Sequence, residues 1–324
     1  MERHARRTAL TTPVDPRTAA LGGQRVLVTG GTGFLGAHLT RALVGLGAEV
    51  HVLTSGTQDA ELDDVRHHLG SIVDPDSVRA AVAAAQPDVA FHLAAFTHVG
   101  RSWDAADACV RVNVEGTMNL LLALADSGCR RTVTASTSDV YGAGVVPFRE
   151  SATPLPTSPY ATSKRAAELL CTMGAEASGW PIVQLRVFNV YGPGQTPDRL
   201  IPEIIARAND GDELLMTRGT QTREFNFVDD IVEGFLVAAV AEGAAGELVN
   251  LCSGTEVSVA EVAETVLDLM GNPIRAQLGA LPERPIEIPR VVGDPTRARE
   301  VLGWSARTSL ADGLSKTIDW YSQR

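Results

Sequence analysis

Apolar and β-branched residues run together at Val26-Leu27-Val28-Thr29 and lead straight into a glycine cluster, Gly30-Gly31-Thr32-Gly33-Phe34-Leu35-Gly36. The period then changes. Leu35, Leu39, Ala42, Leu43 and Leu46 recur at three- and four-residue steps and stop at Gly47. A continuous apolar run, a glycine turn and a 3.6-residue period predict strand, tight turn and helix. The alternation continues along the chain: Glu49–Leu53 reads as a second strand, Asp76–Ala85 as an alanine-rich helix and Asp88–Leu93 as a third strand. Val110–Asp126 reads as a long helix with Val110, Val114, Leu121, Leu122 and Leu124 apolar, and Arg131–Ala135 as a fourth strand. Pro159–Met173 is a helix with proline in its first turn, where the missing N–H is tolerated, and Ile182–Val187 is a fifth strand. This alternation predicts an α/β fold built on a doubly wound parallel sheet with right-handed crossovers.

After Asn189 the texture changes. Turns rich in proline and glycine (Gly192-Pro193-Gly194, Pro197, Pro202) separate short mixed segments, and residues 271–290 are dense in proline and arginine. Asp229–Ala241 still reads as a core-facing helix and Glu247–Leu251 as a strand. The expected organisation is a flexible N-terminal tail over 1–22 and a Rossmann dinucleotide-binding domain over 23–188 that also receives about 226–255. A smaller C-terminal α/β substrate-binding region over 189–225 and 256–324 completes it.

The chain has 324 residues, 44% of them hydrophobic, enough for a large core. No run reaches the roughly 20 apolar residues that span a bilayer, so no membrane partner is expected. Residues 1–22 carry Arg3, Arg6, Arg7 and Arg17 but no apolar stretch of the secretory kind. A net charge of −11 without a basic run argues against nucleic acid, so an anionic substrate must be held by a few local arginines. Cys109, Cys129, Cys171 and Cys252 are scattered, which fits a reducing cytoplasm and neither a disulfide framework nor a metal site. His67 and His68 read as solvated.

The glycine turn lets the backbone approach a phosphate, and the helix after it points N–H groups and its positive dipole end the same way. A dinucleotide pyrophosphate is the expected guest. Two registers coexist, Gly31-Gly33-Gly36 and Gly30-Gly33-Gly36. The chemistry favours the second, which makes Gly30, Gly33, Phe34, Leu35 and Gly36 the cofactor turn. Further on, Tyr160 and Lys164 stand four apart on one helix face. A tyrosine titrating near ~10 serves as a base at neutral pH only if it drops by roughly three units, about 4 kcal/mol. A neighbouring ammonium and an oxidised nicotinamide can supply that. Thr134-Ala135-Ser136-Thr137-Ser138-Asp139-Val140-Tyr141-Gly142 falls at the end of the fourth strand, where open α/β sheets bind ligands. A hydroxyl there can hold the oxygen that Tyr160 deprotonates.

Together these segments resemble the extended short-chain dehydrogenase/reductase family, specifically its sugar-nucleotide epimerases and dehydratases. The resemblance runs from about residue 24 to the end. It takes in Phe91-His92-Leu93-Ala94-Ala95, Asn113-Val114-Glu115-Gly116-Thr117, Arg186-Val187-Phe188-Asn189-Val190-Tyr191-Gly192, Arg223-Glu224-Phe225, Arg284-Pro285 and the closing Gly293-Asp294-Pro295 with Leu302-Gly303-Trp304. It implies that Tyr160 is the acid/base, that Lys164 tunes it and holds the cofactor ribose, and that Thr137 holds the reacting hydroxyl. It implies cofactor contacts from Leu93, Ala94, Ala95 and Asn113. Substrate contacts would come from Thr97 and Asn189, with Arg223 and Arg284 clamping a nucleotide diphosphate. Two arginine forks suit a pyrophosphate. A homodimer through the helices of 110–126 and after Pro159 is implied as well.

Two departures matter. NAD-binding relatives carry an acid at the end of the second strand for the ribose 2′-OH. Here Thr54 and Ser55 stand there, which leaves NAD and NADP both open and tilts slightly to NADP; Ser71 after Gly70 weakens the adenine contact. The second concerns the reaction. Thr137-Ser138-Asp139 is similar to the Thr-Ser-Glu of GDP-mannose 4,6-dehydratases, one methylene shorter, so Asp139 is either a second acid/base or a turn residue capping backbone N–H groups. The expected enzyme is an NAD(P)-dependent epimerase or 4,6-dehydratase acting on a nucleotide diphosphate sugar through a transient 4-keto intermediate, its cofactor tightly bound and recycled. The alternatives are an NADPH-consuming 4-ketoreductase and a non-catalytic NAD(P)-binding regulator.

Overall fold

The computed structural model describes residues 15–56, 62, 64–97, 99–283 and 287–323. The strands of the main sheet are β1 (Arg25–Thr29), β2 (Glu49–Thr54), β3 (Val65–Leu69), β4 (Val89–His92), β5 (Arg131–Thr137), β6 (Ile182–Val187) and, from the C-terminal half, Leu248–Leu251. They lie side by side in the order 3-2-1-4-5-6 followed by the Leu248–Leu251 strand, and every pairing is parallel. The crossovers are α1 (Phe34–Gly45), α2 (Pro75–Ala85), α3 (Ala106–Val110) continuing into α4 (Gly116–Leu124), α5 (Pro159–Ser178), α6 (Leu200–Asp210) and α7 (Val228–Val240). This order reverses between β1 and β4, and the carboxyl ends of the strands open on the crevice where ligands bind in such sheets.

Three features depart from the expectation. The strand expected third is fourth, because β3 pairs beyond β2 at the sheet edge. Its sequence Val-Arg-His-His-Leu lacks an apolar run because an edge strand buries little. His67 and His68 sit on it half-buried rather than solvated, and His68 Nε2 meets His51 Nδ1 at 2.8 Å. The helix expected over 110–126 starts earlier and is interrupted by a π-helical segment, Arg111–Glu115. Finally, residues 15–22 of the expected flexible tail are folded. Asp15 caps a 3₁₀ turn, Pro16–Leu21; Leu21 is buried, and Arg17 donates to Leu302 O at 2.8 Å.

The C-terminal half adds short strands, β7 (Val190–Tyr191), β8 (Leu214–Leu215), β9 (Thr222–Arg223) and β10 (Asn226–Phe227), then β11 (Leu248–Leu251), β12 (Val257–Ser258), β13 (Ala276–Gln277) and β14 (Arg290–Val291). The helices α8 (Val259–Leu269) and α9 (Leu310–Ser322) cover them. α7 is buried from Val228 to Ala239, with protein on every side, its apolar residues and the buried Asp229, Asp230 and Glu233 alike. One continuous core therefore joins the sheet (Val26, Val133, Leu185, Val249) to the C-terminal helices (Val262, Leu314).

The glycine turn is closely packed. A Cβ at Gly36 would lie 2.0 Å from Gly30 O. Gly36→Ala should lower stability by about 3 kcal/mol in urea unfolding and weaken dinucleotide binding; an unfolding midpoint equal to the parent's would contradict this packing.

Candidate active site

A cleft of about 1060 Å³ runs along the carboxyl ends of the strands, from the glycine turn to the C-terminal segments. Gly30, Gly33, Phe34, Leu35 and Gly36 line it, and Gly31 does not. Gly31 instead faces Val52, whose side chain would be 2.9 Å from a Cβ there. Gly30 has φ +72°, and a Cβ on it would meet Ala94 N at 2.6 Å. Gly33 would meet only Gly30 O, at 3.4 Å, and caps α1 without a side-chain bond. The first N–H groups of α1 are thus open to a phosphate, and no side chain stands between. These residues fit a dinucleotide.

The adenosine end is lined by Thr54, Ser55, Gly70, Ser71 and Ile72, with Thr32 Oγ1 and Thr54 Oγ1 3.4 Å apart. Among the described residues it brings neither a carboxylate nor a cation to a 2′-position. Leu93, Ala94 and Ala95 form the next part of the wall. Their position is set from below. Ala94 N donates to Thr29 Oγ1 (3.3 Å), and Thr29 Oγ1 meets His92 Nδ1 at 2.7 Å. His92 Nε2 meets Thr117 Oγ1 at 2.9 Å, and Thr117 spends its own proton on Asn113 O (2.6 Å). His92 must therefore carry its proton on Nε2 and stay neutral. Burial, with the Lys164 charge second, pushes its pKa down to about 3.

Asn113, expected at the cofactor, is not on the cleft wall. It is buried in the π-helical segment, accepts from Phe96 N (2.8 Å) and donates to Phe96 O (3.2 Å) and Ser163 Oγ (2.9 Å). It clamps the loop after β4 to α5.

At the reacting end, Ser158 caps α5 through Ala161 N (3.1 Å), and Pro159 begins it. Tyr160 and Lys164 are 8% and 5% exposed and both line the cleft. Lys164 Nζ donates to Ala135 O at 2.6 Å. Thr137 Oγ1 donates to Asp139 Oδ2 at 2.7 Å and accepts from Asp139 N at 3.2 Å. Thr137 is therefore the cap of the 3₁₀ turn Ser138–Tyr141. The Asp139 carboxylate bonds the Thr137 hydroxyl and faces the cleft. Burial pushes the Asp139 carboxyl up, against the Thr137 bond and the charges of Arg223 and Arg199. Burial, and next the Asp139 charge, also push the Tyr160 phenol up. Burial brings Lys164 down to about 8. The Lys164 ammonium is directed at the Ala135 carbonyl.

On the substrate side, Thr97, Asn189 and Arg223 line the cleft. Asn189 O accepts from Asn226 N at 2.8 Å. Arg223 is not a free fork. Its Nη1 donates to Thr222 O and Ile288 O, both at 2.8 Å, and Nη2 pairs with Glu287. Arg284 lies outside the described residues. The sequence reading did not single out Arg199, which lines the cleft and whose charge reaches Asp139 and Tyr160, and no motif marks it.

The chain matches the family model described as NAD dependent epimerase/dehydratase family over residues 26–252. It belongs to that family. It is 34% identical over 319 residues to the dTDP-glucose 4,6-dehydratase of Streptomyces niveus, covering 92% of each chain. It is 33% identical over 322 residues to the UDP-N-acetyl-alpha-D-glucosaminuronate decarboxylase of Bacillus cytotoxicus, covering 93% of this chain and 98% of that one. Among solved structures, the Thermus thermophilus UDP-glucose 4-epimerase in complex with NAD superposes with a TM-score of 0.84 at 29% identity, over 92% and 99% of the two chains. The Rossmann-type fold, the enzyme class and the nicotinamide cofactor class expected from the sequence therefore stand. The three relatives carry three different reactions, so the choice among them has to come from the site.

Asn113→Leu should remove the side-chain partners of the Phe96 N–H and C=O and of Ser163 Oγ. A stability loss of about 2–3 kcal/mol is expected, together with weaker NAD binding by calorimetry; unchanged NAD affinity would show that the clamp does not position the wall.

Proposed function

We propose that the chain is a nucleotide diphosphate sugar 4,6-dehydratase that works through a transient 4-keto sugar with a recycled NAD(P). The reading rests on the Asp139 carboxylate. It caps no backbone N–H, lies beside Thr137 and in range of Tyr160, and burial favours its protonated form. A buried carboxyl whose pKa burial raises is suited to exchanging a proton with a substrate in the cleft. Thr137, not Asp139, caps the turn Ser138–Tyr141, which supports the acid/base reading of Asp139.

Bound NAD(P) supplies the acceptor, and later the donor, of one hydride, and in its oxidised form a positive charge at the site. Gly30, Gly33, Phe34, Leu35 and Gly36 hold its pyrophosphate, Thr54 and Ser55 the adenosine ribose, Leu93–Ala95 the adjoining wall, and Lys164 the other ribose. Tyr160 moves the proton at the sugar C4 oxygen, which Thr137 steadies. Once C4 is a ketone the C5 proton is acidic; Asp139 takes it and passes it to the C6 oxygen, which leaves as water, and the hydride comes back to C6. Thr97 and Asn189 face the sugar and phosphates. Arg223 meets the diphosphate with the N–H groups that Glu287 and the backbone leave over, and Arg284 is the expected second clamp.

A homodimer is part of this reading. Val110, Leu122, Leu169 and Met173 on α3, α4 and α5 are 46–62% exposed, an apolar set that a second copy would cover. So is a cytoplasmic location: the four cysteines are free thiols, and no described helix is long and apolar enough to cross a membrane.

Purified protein given dTDP-, UDP- and GDP-sugars should yield a product lighter by one water, without net consumption of NADPH. An unchanged mass with a new sugar would make it an epimerase. Stoichiometric oxidation of NADPH would make it a 4-ketoreductase, and failure to bind any sugar nucleotide would remove the reading. Asp139→Asn should slow water loss by roughly 10²–10³-fold yet keep the first oxidation, seen as reduced nicotinamide absorbance. Tyr160→Phe should lose both.

A further inference from the structure

A second, small chamber of about 10 Å³ borders Lys164, room for one water. Its polar walls include Lys164, Ser136, Glu168, Gln184, Thr134 and His92, all buried. Gln184, 3% exposed, has an Oε1 without a hydrogen-bond partner. Its amide orientation is settled by Thr172. That hydroxyl gives its proton to Glu168 O (3.0 Å), so it must accept from Gln184 Nε2 (3.0 Å). An unpaired buried acceptor beside a water-sized space calls for a donor.

The other groups show which way a water would be oriented. Lys164 has three N–H donors, and Ala135 O takes one. Ser136 Oγ donates to Glu168 Oε1 at 2.6 Å, which leaves its lone pairs to accept. Glu168 takes nothing further itself. Ser136, Arg186 Nε and Nη2 (both 2.8 Å) and Arg165 Nη1 (2.9 Å) fill its four acceptor positions.

We propose that a single water in this chamber accepts from Lys164 and donates to Gln184 Oε1 and Ser136 Oγ, so that Glu168 positions the Lys164 ammonium through Ser136. Every donor in the chain Lys164–water–Ser136–Glu168 then points from the cation to the carboxylate. No proton is transferred; the chain is oriented by the two charges at its ends. Tyr160, Lys164 and Glu168 stand at four-residue steps on one face of α5, so one helix carries the tyrosine, the lysine and the carboxylate that steadies it.

The charged and titratable groups around Lys164 are few. Glu168 and Arg165 lie on α5, Arg186 on β6 and neutral His92 on β4, with the Cys171 thiol one turn past Glu168 and Tyr160 one turn before Lys164. Burial lowers Lys164 to about 8, against the charges of Cys171 and Glu168. Glu168 and Ser136 are positioning residues, since neither is placed on the reacting atoms.

The sequence makes the test clean, because it contains only two lysines, Lys164 and Lys316. In protein labelled with ¹³C-lysine, the ε-CH₂ of each can be titrated by NMR, with Lys316 as the internal reference. Ser136→Ala should lower the Lys164 midpoint by about half a pH unit and Glu168→Gln by about one unit, with the Lys316 midpoint unmoved in both. A Lys164 midpoint within about a tenth of a unit of the parent's in either folded variant would overturn the chain. If Glu168→Gln does not fold, with two arginine charges left unopposed, Ser136→Ala decides alone, since it keeps the Glu168–Arg186 pair. The inference rests on Lys164 serving the proposed chemistry, but the titration needs no substrate. Absence of turnover would therefore count against the functional reading and leave the midpoints to judge this one.

Discussion

The docking of α5 on the end of β5 is the constraint from which the site follows. β5 carries Ala135, Ser136 and Thr137 in succession, and α5 answers with Lys164 on Ala135 O and Glu168 on Ser136. Thr137 is thereby placed opposite Tyr160 with its side chain in the cleft. The bidentate Arg186–Glu168 pair locks this from the next strand, both residues buried to within 2% exposure. The Arg186 guanidinium also lies 4.6 Å above the Tyr141 ring, whose hydroxyl donates to Asn250 (2.7 Å) on β11. A buried ion pair of this kind is not in itself a large source of stability. Its effect here is geometric, because bidentate bonds leave the strand end and the helix one relative position.

A second buried carboxylate fastens the C-terminal segments to the sheet. Glu224 is fully buried and accepts from Ser253 Oγ (2.9 Å), Thr255 N (3.1 Å), Gly293 N (2.9 Å) and Gly254 N. Those donors follow β11 or precede the closing segment, so one side chain gathers three parts of the chain. Arg223, its neighbour, is carried to the cleft wall by this anchoring. Together with α7, buried on all sides, this explains why the C-terminal segments are interleaved with the main sheet.

Much of this was legible in the chain because it is local. A glycine turn between a strand and a helix has one workable conformation, and Gly30, Gly33 and Gly36 do line the cleft while Gly31 packs on Val52. Helical spacing puts Tyr160 and Lys164 on one face wherever the helix goes. The edge strand β3 was not legible, since its polar sequence pairs only because β2 already exists. The π-helical segment at Arg111–Glu115 has no periodic signature, and it places Asn113 against Phe96 rather than on the cleft wall.

The sequence by itself determined the alternation of strand and helix, the glycine turn and the helix face that Tyr160 and Lys164 share, since each depends on neighbours within a few residues. Only the tertiary structure decided what those side chains are bonded to. Asp139 is left free of backbone capping because Thr137 takes that role. Arg223 arrives already paired with Glu287 from a distant segment. Lys164 rests on a carbonyl of β5 rather than on Tyr160. Spacing along the chain specifies which face a residue occupies; the partner it meets there is supplied by strands and loops that only the packed core brings near.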